Sequence, residues 1–197
     1  MLENLSGYNI ILASNSPRRR ELLESLGMEF TVVKLPESDE SFPENLTGKE
    51  IAGYIAKTKA ISFIPFMKKN DLVITADTIV YKDDQVFGKP DDFDDAVRML
   101  KALSGSVHKV FTGVCISVNG NQNSFVAETD VCFATLSDND IIHYIKEYKP
   151  FDKAGAYGIQ EWIGFVGVEW ISGSFFNVMG LPVHQLYEEL KKISPKI

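Results

Sequence analysis

Cysteine is scarce in this chain of 197 residues: only Cys115 and Cys132 are present, with no C-x-x-C spacing between them. No disulfide framework or zinc ligand set is therefore legible, and both residues fall in apolar runs that suit buried, reduced thiols. An excess of positive charge is also missing. Lys and Arg number 20 against 27 Asp and Glu, a net charge of −7 with a sequence pI near 5.0. Such a chain does not grip a nucleic-acid polymer through its overall field, although a small anion can still sit in a local basic pocket. No apolar run approaches the ~18 residues of a membrane span. The N-terminal MLENLSGYN lacks a basic stretch followed by an apolar one, so a cytoplasmic protein is expected. Neither G-x-x-x-x-G-K-[ST] nor G-x-G-x-x-G occurs, which removes the P-loop and Rossmann phosphate grips.

What is present is an ordinary globular composition, 45% hydrophobic and 11% aromatic, with 13 Phe and 7 Tyr. Disorder is excluded, and the length fits one domain, residues 1–197, with one sizeable core. The run from Tyr8 to Ala13 reads as a buried strand entering Ser14-Asn15-Ser16-Pro17. Ser16 as N-cap and Pro17 at the first helical position then start a helix that Gly27 stops. Thr47 and Glu50 have capping-box spacing ahead of a helix with Ile51, Tyr54, Ile55 and Ile61 on its apolar face. A strand over Leu72 to Tyr81, a turn at Gly88-Lys89-Pro90 and a helix ending at Ser104-Gly105 follow. Asn119-Gly120-Asn121 predicts a hairpin between two β-rich runs, and Ser137 with Asp140 caps a further helix. Strands are expected around Phe165 to Trp170 and Phe175 to Met179, with a last helix from Pro182 to Lys192. Early alternation of helices and strands followed by a hairpin implies an α/β chain with a mixed sheet.

The candidate chemistry begins at Arg18, Arg19 and Arg20. Three cations in a first helical turn oppose the helix dipole, and an anion held by guanidinium forks, backbone N–H groups and the Ser14 and Ser16 hydroxyls would resolve the conflict. The plainer alternative is three solvated arginines. Asp77 interrupts an apolar strand, where a carboxylate is costly unless paired, metal-bound or protonated. It is a candidate base or metal ligand, or a turn cap if the strand stops at Ala76. Lys57 and Lys59 flank a helical stripe on opposite sides, and helical geometry alone does not choose between them. His108, His143 and His184 form no metal or triad spacing, and Asp91, Asp92, Asp94 and Asp95 suit a helix first turn. In the stretch Asp152 to Gln160, Tyr157 is either a stacking surface or a core residue, and Gln160 offers a donor-plus-acceptor edge that can read a base.

Ser14 to Arg19, Ala76 to Val80, Gly88-Lys89-Pro90, Leu103-Ser104-Gly105 with His108, Thr112-Gly113-Val114, Asp152 to Gln160 and Gly180-Leu181-Pro182, in this order, resemble the Maf family of nucleoside triphosphate pyrophosphatases. The resemblance implies the fold of inosine triphosphate pyrophosphatases: an elongated mixed sheet flanked by helices, with two lobes and a central cleft. It implies hydrolysis of a nucleoside triphosphate to monophosphate and pyrophosphate with Mg²⁺ or Mn²⁺, and it allows a homodimer. Asp77 matches the family's proton acceptor, and Arg18, Thr78 and Gln160 match positions tied to substrate choice. Ser14, Arg19, Lys59 and Lys89 fall to the phosphates, and Asp77 and Glu40, with Asp39, to the metal. The Ala-Tyr-Gly-Ile-Gln loop resembles the dTTP/UTP branch. Rival readings are the same chemistry on a modified purine such as 7-methyl-GTP, and a nucleotide-binding regulator of cell division acting through a protein partner. Thr58 departs from the Glu or Gln that many members place before the lysine matched by Lys59, and Glu161 replaces a common glycine.

Overall fold

In the computed structural model, residues 2–35 and 40–195 are described. The apolar run before Ser14 forms β1 (Asn9–Ala13), and Ser16 and Pro17 open α1 (Pro17–Glu24). There follow β2 (Thr31–Val33), α2 (Lys49–Phe63), β3 (Asp71–Lys82), β4 (Gln85–Phe87), α3 (Phe93–Leu103), β5 (Val107–Val118) and β6 (Asn121–Phe133). The chain continues through α4 (Asp138–Tyr148), α5 (Trp162–Gly167), β7 (Val168–Ser172), α6 (Phe175–Met179) and α7 (Val183–Lys191). The strands make one seven-stranded mixed sheet in the order β2-β1-β3-β5-β6-β7, with β4 paired to β3. β1 runs parallel to β2 and β3, whereas β4 is antiparallel to β3 and β7 to β6. No described helix is long and apolar enough to cross a membrane.

The chain divides into two compact units, interleaved in sequence. The first comprises Met1–Asp77, Thr112–Ala127 and Gly180–Ile197. Its α2 packs differently from expectation. The buried face is Ile51, Ala52, Ile55, Ala56, Ala60 and Phe63, while Tyr54 and Ile61 are exposed. The reason lies in β5: a Cβ at Gly113 would stand 2.2 Å from the Ala52 carbonyl oxygen, so helix and strand meet backbone to backbone. Small residues are what that approach admits. The expected capping box is also only half made. Gly48, at φ 44, is the N-cap, and the Thr47 N–H and hydroxyl both donate to Glu50 Oε2. Asn119 and Gly120, at φ 51 and 79, make the two-residue turn between β5 and β6, the left-handed pair that such a hairpin needs.

The second unit comprises Thr78–Phe111 and Glu128–Met179. Asp83 and Asp84, at φ 49 and 58, turn β3 back into β4, a short hairpin that no apolar run announced. Ser137 and Asp140 cap α4 reciprocally, as their spacing predicts. Of the two strands expected here, the first is found in part, since β7 takes Val168 to Trp170 while Phe165 lies in α5, and the second is replaced by α6. Apolar runs this short carry no decisive period. Here the Ser174 hydroxyl accepts from the Asn177 N–H, and the buried Asn177 amide donates to Val110 O at 3.0 Å and Thr129 Oγ1 at 2.9 Å. Helical winding turns that amide inward.

Tyr157 belongs to the core of this unit, 5% exposed, with its hydroxyl 2.8 Å from His108 Nε2 and its ring edge-on to Phe133. It is not available to stack on a base. Burial and the nearby Lys82 charge hold His108 down at about 4, so the ring is neutral at pH 7. The unfolded chain takes up this proton from about pH 6.5 downward and the folded chain does not, so stability falls with pH across that window. At ~1.4 kcal/mol per pH unit the loss by pH 4 is about 3 kcal/mol. Urea unfolding at pH 7 and pH 4.5 should show that slope reduced in His108→Gln; equal slopes in both proteins would refute it. Cys115 is buried and Cys132 half-buried, so only the first matches the expected burial, and both thiols are free.

Candidate active site

Asp77 is the last residue of a seven-residue stretch of β3, beginning at Asp71, in which every residue is buried. Thr75, two residues earlier on the same face, donates its hydroxyl to Ala56 O of α2 at 2.8 Å. That bond fastens α2 to β3 one helical turn before Lys59. Lys59 Nζ then donates to Asp77 Oδ1 at 2.6 Å and to Glu40 Oε1 at 2.8 Å. Of the two lysines that the sequence left open, Lys59 is therefore the one turned inward, while Lys57 is exposed. Burial pushes the Asp77 carboxyl above its ordinary value, and the Lys59 ammonium and Arg19 guanidinium pull it back. The Asp77 side chain is only 9% exposed. A desolvated carboxylate paired with a cation is the arrangement expected of a general base.

The arginines separate by environment. Ser14 Oγ accepts from the Ser16 N–H, and Ser16 Oγ in turn accepts from the Arg19 N–H, so hydroxyl caps begin α1 as expected. Arg19 Nε donates to Gly180 O at 2.8 Å and its Nη1 to Ala76 O at 2.9 Å. These bonds place its charge beside Asp77, and desolvation lowers its pKa. Arg18 is half-buried on the same turn. Arg20 faces outward and pairs with Glu24 at 2.7 Å, the solvated case.

Asp77 and Glu40 direct oxygens at one positive charge, the lysine ammonium. A hard divalent cation takes such donors, and Mg²⁺ is commonly held by one or two carboxylates with substrate phosphates completing the shell. The residues present fit such an ion. Among the described residues no group of three or more His, Cys, Asp or Glu converges, and Thr58 is exposed. Asp39 lies outside the described residues.

In the second unit, Thr78 follows Asp77 directly and is half-buried, and Lys89 is exposed in the turn before α3. The Gly88 carbonyl of that turn accepts from the Gly155 N–H at 2.9 Å, which joins it to the stretch carrying Gln160. Gln160 is half-buried, and its Oε1 is fully covered without a hydrogen-bond partner. Three residues around it escaped the sequence reading as a group. Tyr144 donates to Glu161 Oε2, and Lys153 Nζ lies 3.1 Å from Glu161 Oε1. Tyr144 and Glu161 lie far apart in sequence, and only the unusual Glu161 hinted at such a network.

A buried carboxylate in the middle of a strand, bridged by lysine and next to a capped helix start bearing arginines, describes an α/β protein equipped to handle an anionic substrate. The family model described as Maf-like protein matches residues 9–193, and the chain belongs to that family. A Phocaeicola vulgatus protein named dTTP/UTP pyrophosphatase is 58% identical over 98% of this chain and 100% of its own length. A Bacteroides thetaiotaomicron protein of the same name is 54% identical over 98% of this chain and 100% of its own. Among solved structures, the Staphylococcus aureus Ham1 protein has a TM-score of 0.49 and 15% identity, covering 92% of this chain and 99% of its own.

Proposed function

We propose that this chain, acting as one domain over residues 1–197, hydrolyses dTTP and UTP to the nucleoside monophosphate and pyrophosphate. The observation that carries the proposal is the buried Asp77 carboxylate held by Lys59, in a chain 58% identical to a dTTP/UTP pyrophosphatase. Asp77 takes a proton from a water whose oxygen attacks the α-phosphorus. The bond from that phosphorus to the α,β-bridging oxygen breaks, and pyrophosphate leaves with the electron pair. Ser14, Arg18, Arg19, Lys59 and Lys89 are assigned to phosphate oxygens; for Arg19 this adds to its hold on two carbonyls. Asp77 and Glu40 would hold Mg²⁺ or Mn²⁺, which supplies neutralisation of the charge gathering on the leaving group. Arg18, Thr78 and Gln160 are assigned to substrate choice, with Gln160 reading the base. The Gln160 amide carries both a donor and an acceptor, which suits the N3–H and adjoining carbonyl that uracil and thymine share. Nucleotide substrates of this kind support a cytoplasmic location.

Products and label position test the proposal together. UTP hydrolysed in ¹⁸O-water should yield UMP carrying the label and unlabelled pyrophosphate, and EDTA should stop turnover. UDP with orthophosphate, or label in pyrophosphate, would overturn attack at the α-phosphorus. Preferential hydrolysis of 7-methyl-GTP would overturn the branch assignment.

A further inference from the structure

The backbone around Gln160 is held by an unusually specific set of contacts. The Glu161 N–H donates to Gly158 O at 3.0 Å, closing a tight turn whose two corners are Ile159 and Gln160. Both ends of this turn meet at one phenol. Tyr144 Oη accepts from the Gly158 N–H at 2.9 Å and donates to Glu161 Oε2. The direction is fixed, because a carboxylate only accepts and a backbone N–H only donates. The other carboxylate oxygen of Glu161 lies 3.1 Å from Lys153 Nζ, and that ammonium also donates to Asp152 Oδ1 at 2.8 Å. The contacts press on the turn itself: a Cβ at Gly158 would lie 2.9 Å from Glu161 Cδ and 3.1 Å from Lys153 Cε.

Lys153 is 8% exposed. Buried charge pairs are a poor source of stability and are often replaceable by apolar residues at no loss. What this network does is brace, from both ends, the turn that carries Gln160. We propose that Tyr144, Glu161 and Lys153 are positioning residues that clamp Gln160 and thereby set the selectivity between uracil or thymine and cytosine, an inference that rests on the base-reading role given to Gln160 above. Hydrogen-bonded discrimination requires the acceptor to stay in place, since an amide that drifts or turns over can meet either edge.

The test compares kcat/KM for UTP and CTP in wild type, Tyr144→Phe and Glu161→Gln, each also in a Gln160→Ala background. Tyr144→Phe removes the hydroxyl joining the two ends of the turn. The ratio of UTP to CTP should fall roughly tenfold, the scale of one lost buried hydrogen bond. In the Gln160→Ala background the same change should leave the ratio unaltered, as coupling through a shared residue demands. Glu161→Gln keeps an acceptor for Tyr144 while losing the charge that faces Lys153, so its fall should be smaller in size and equally absent without Gln160. This variant carries the test if circular dichroism shows Tyr144→Phe unfolded. Equal losses on UTP and CTP, or a fall in ratio that persists in Gln160→Ala, would overturn the clamp alone. A wild-type chain that does not discriminate UTP from CTP would overturn the reading of Gln160 on which the clamp depends.

Discussion

Asp77→Asn should lower kcat on UTP by at least ~100-fold, the lower range for loss of a general base, with the fold intact. The amide has the same shape and can still accept from Lys59, but it cannot take a proton from water. Stability should survive for two reasons. Lys59 keeps Glu40 as a partner at 2.8 Å, so removing the Asp77 charge does not strand a buried cation. Burial also raises the Asp77 pKa, which means that the folded state binds this proton more tightly than the unfolded one. The stability linked to that proton is present at low pH and lost as pH rises through the folded pKa, so the ionised carboxylate is a burden near neutrality. Activity runs the other way: the base must be ionised, so kcat/KM, which reports the free enzyme, should decline as pH falls through a value above the ordinary 3.8 of an aspartate. Pyrophosphate release across pH and a thermal melt of both proteins check this. Near-native turnover in Asp77→Asn would place the base elsewhere.

Gln160→Ala should lower kcat/KM on UTP and dTTP by roughly 1–3 kcal/mol, the cost of leaving a buried polar partner unpaired. Uracil and thymine present acceptor, N3–H donor and acceptor along one edge, whereas cytosine has an amino donor and an unprotonated N3. The Gln160 amide can accept from N3–H and donate to a neighbouring carbonyl, which suits the edge that uracil and thymine share. Wild type should accordingly hydrolyse UTP and dTTP far better than CTP, ATP or GTP, and in Gln160→Ala the gap to CTP should narrow. A loss on CTP equal to that on UTP would mean that Gln160 supports the loop without reading the base. The two substitutions report on different events, proton removal at the α-phosphorus and recognition at the base, so Asp77→Asn should leave the order of substrate preference unchanged.

Local signals read well where one residue decides one backbone feature. Ser16 and Pro17 started α1, Asn119 and Gly120 made their hairpin, and Ser137 with Asp140 closed a complete box. They read poorly where packing overrode the pattern. Thr47 and Glu50 had the right spacing, yet Gly48 took the cap position. Phe175 to Met179 looked like a strand, and a capping serine with a buried Asn177 wound it into a helix. Tyr157 stood open between stacking and core, and His108, 49 positions away in sequence, claimed it.

The sequence by itself determined the α/β class, the buried strand carrying Asp77, the serine-capped start of α1 and the stretch ending in Gln160. Each follows from short-range rules: apolar runs, N-caps and the cost of a charge inside a strand. Only the tertiary structure decided which lysine faces Asp77, which arginine lies beside it and which outward, and what holds the turn at Gln160. Those outcomes depend on pairs distant in the chain, Lys59 with Asp77, Arg19 with Gly180 and Tyr144 with Glu161. A helical stripe fixes a face but not its neighbour, and the neighbour decides which charge is desolvated and what it can do.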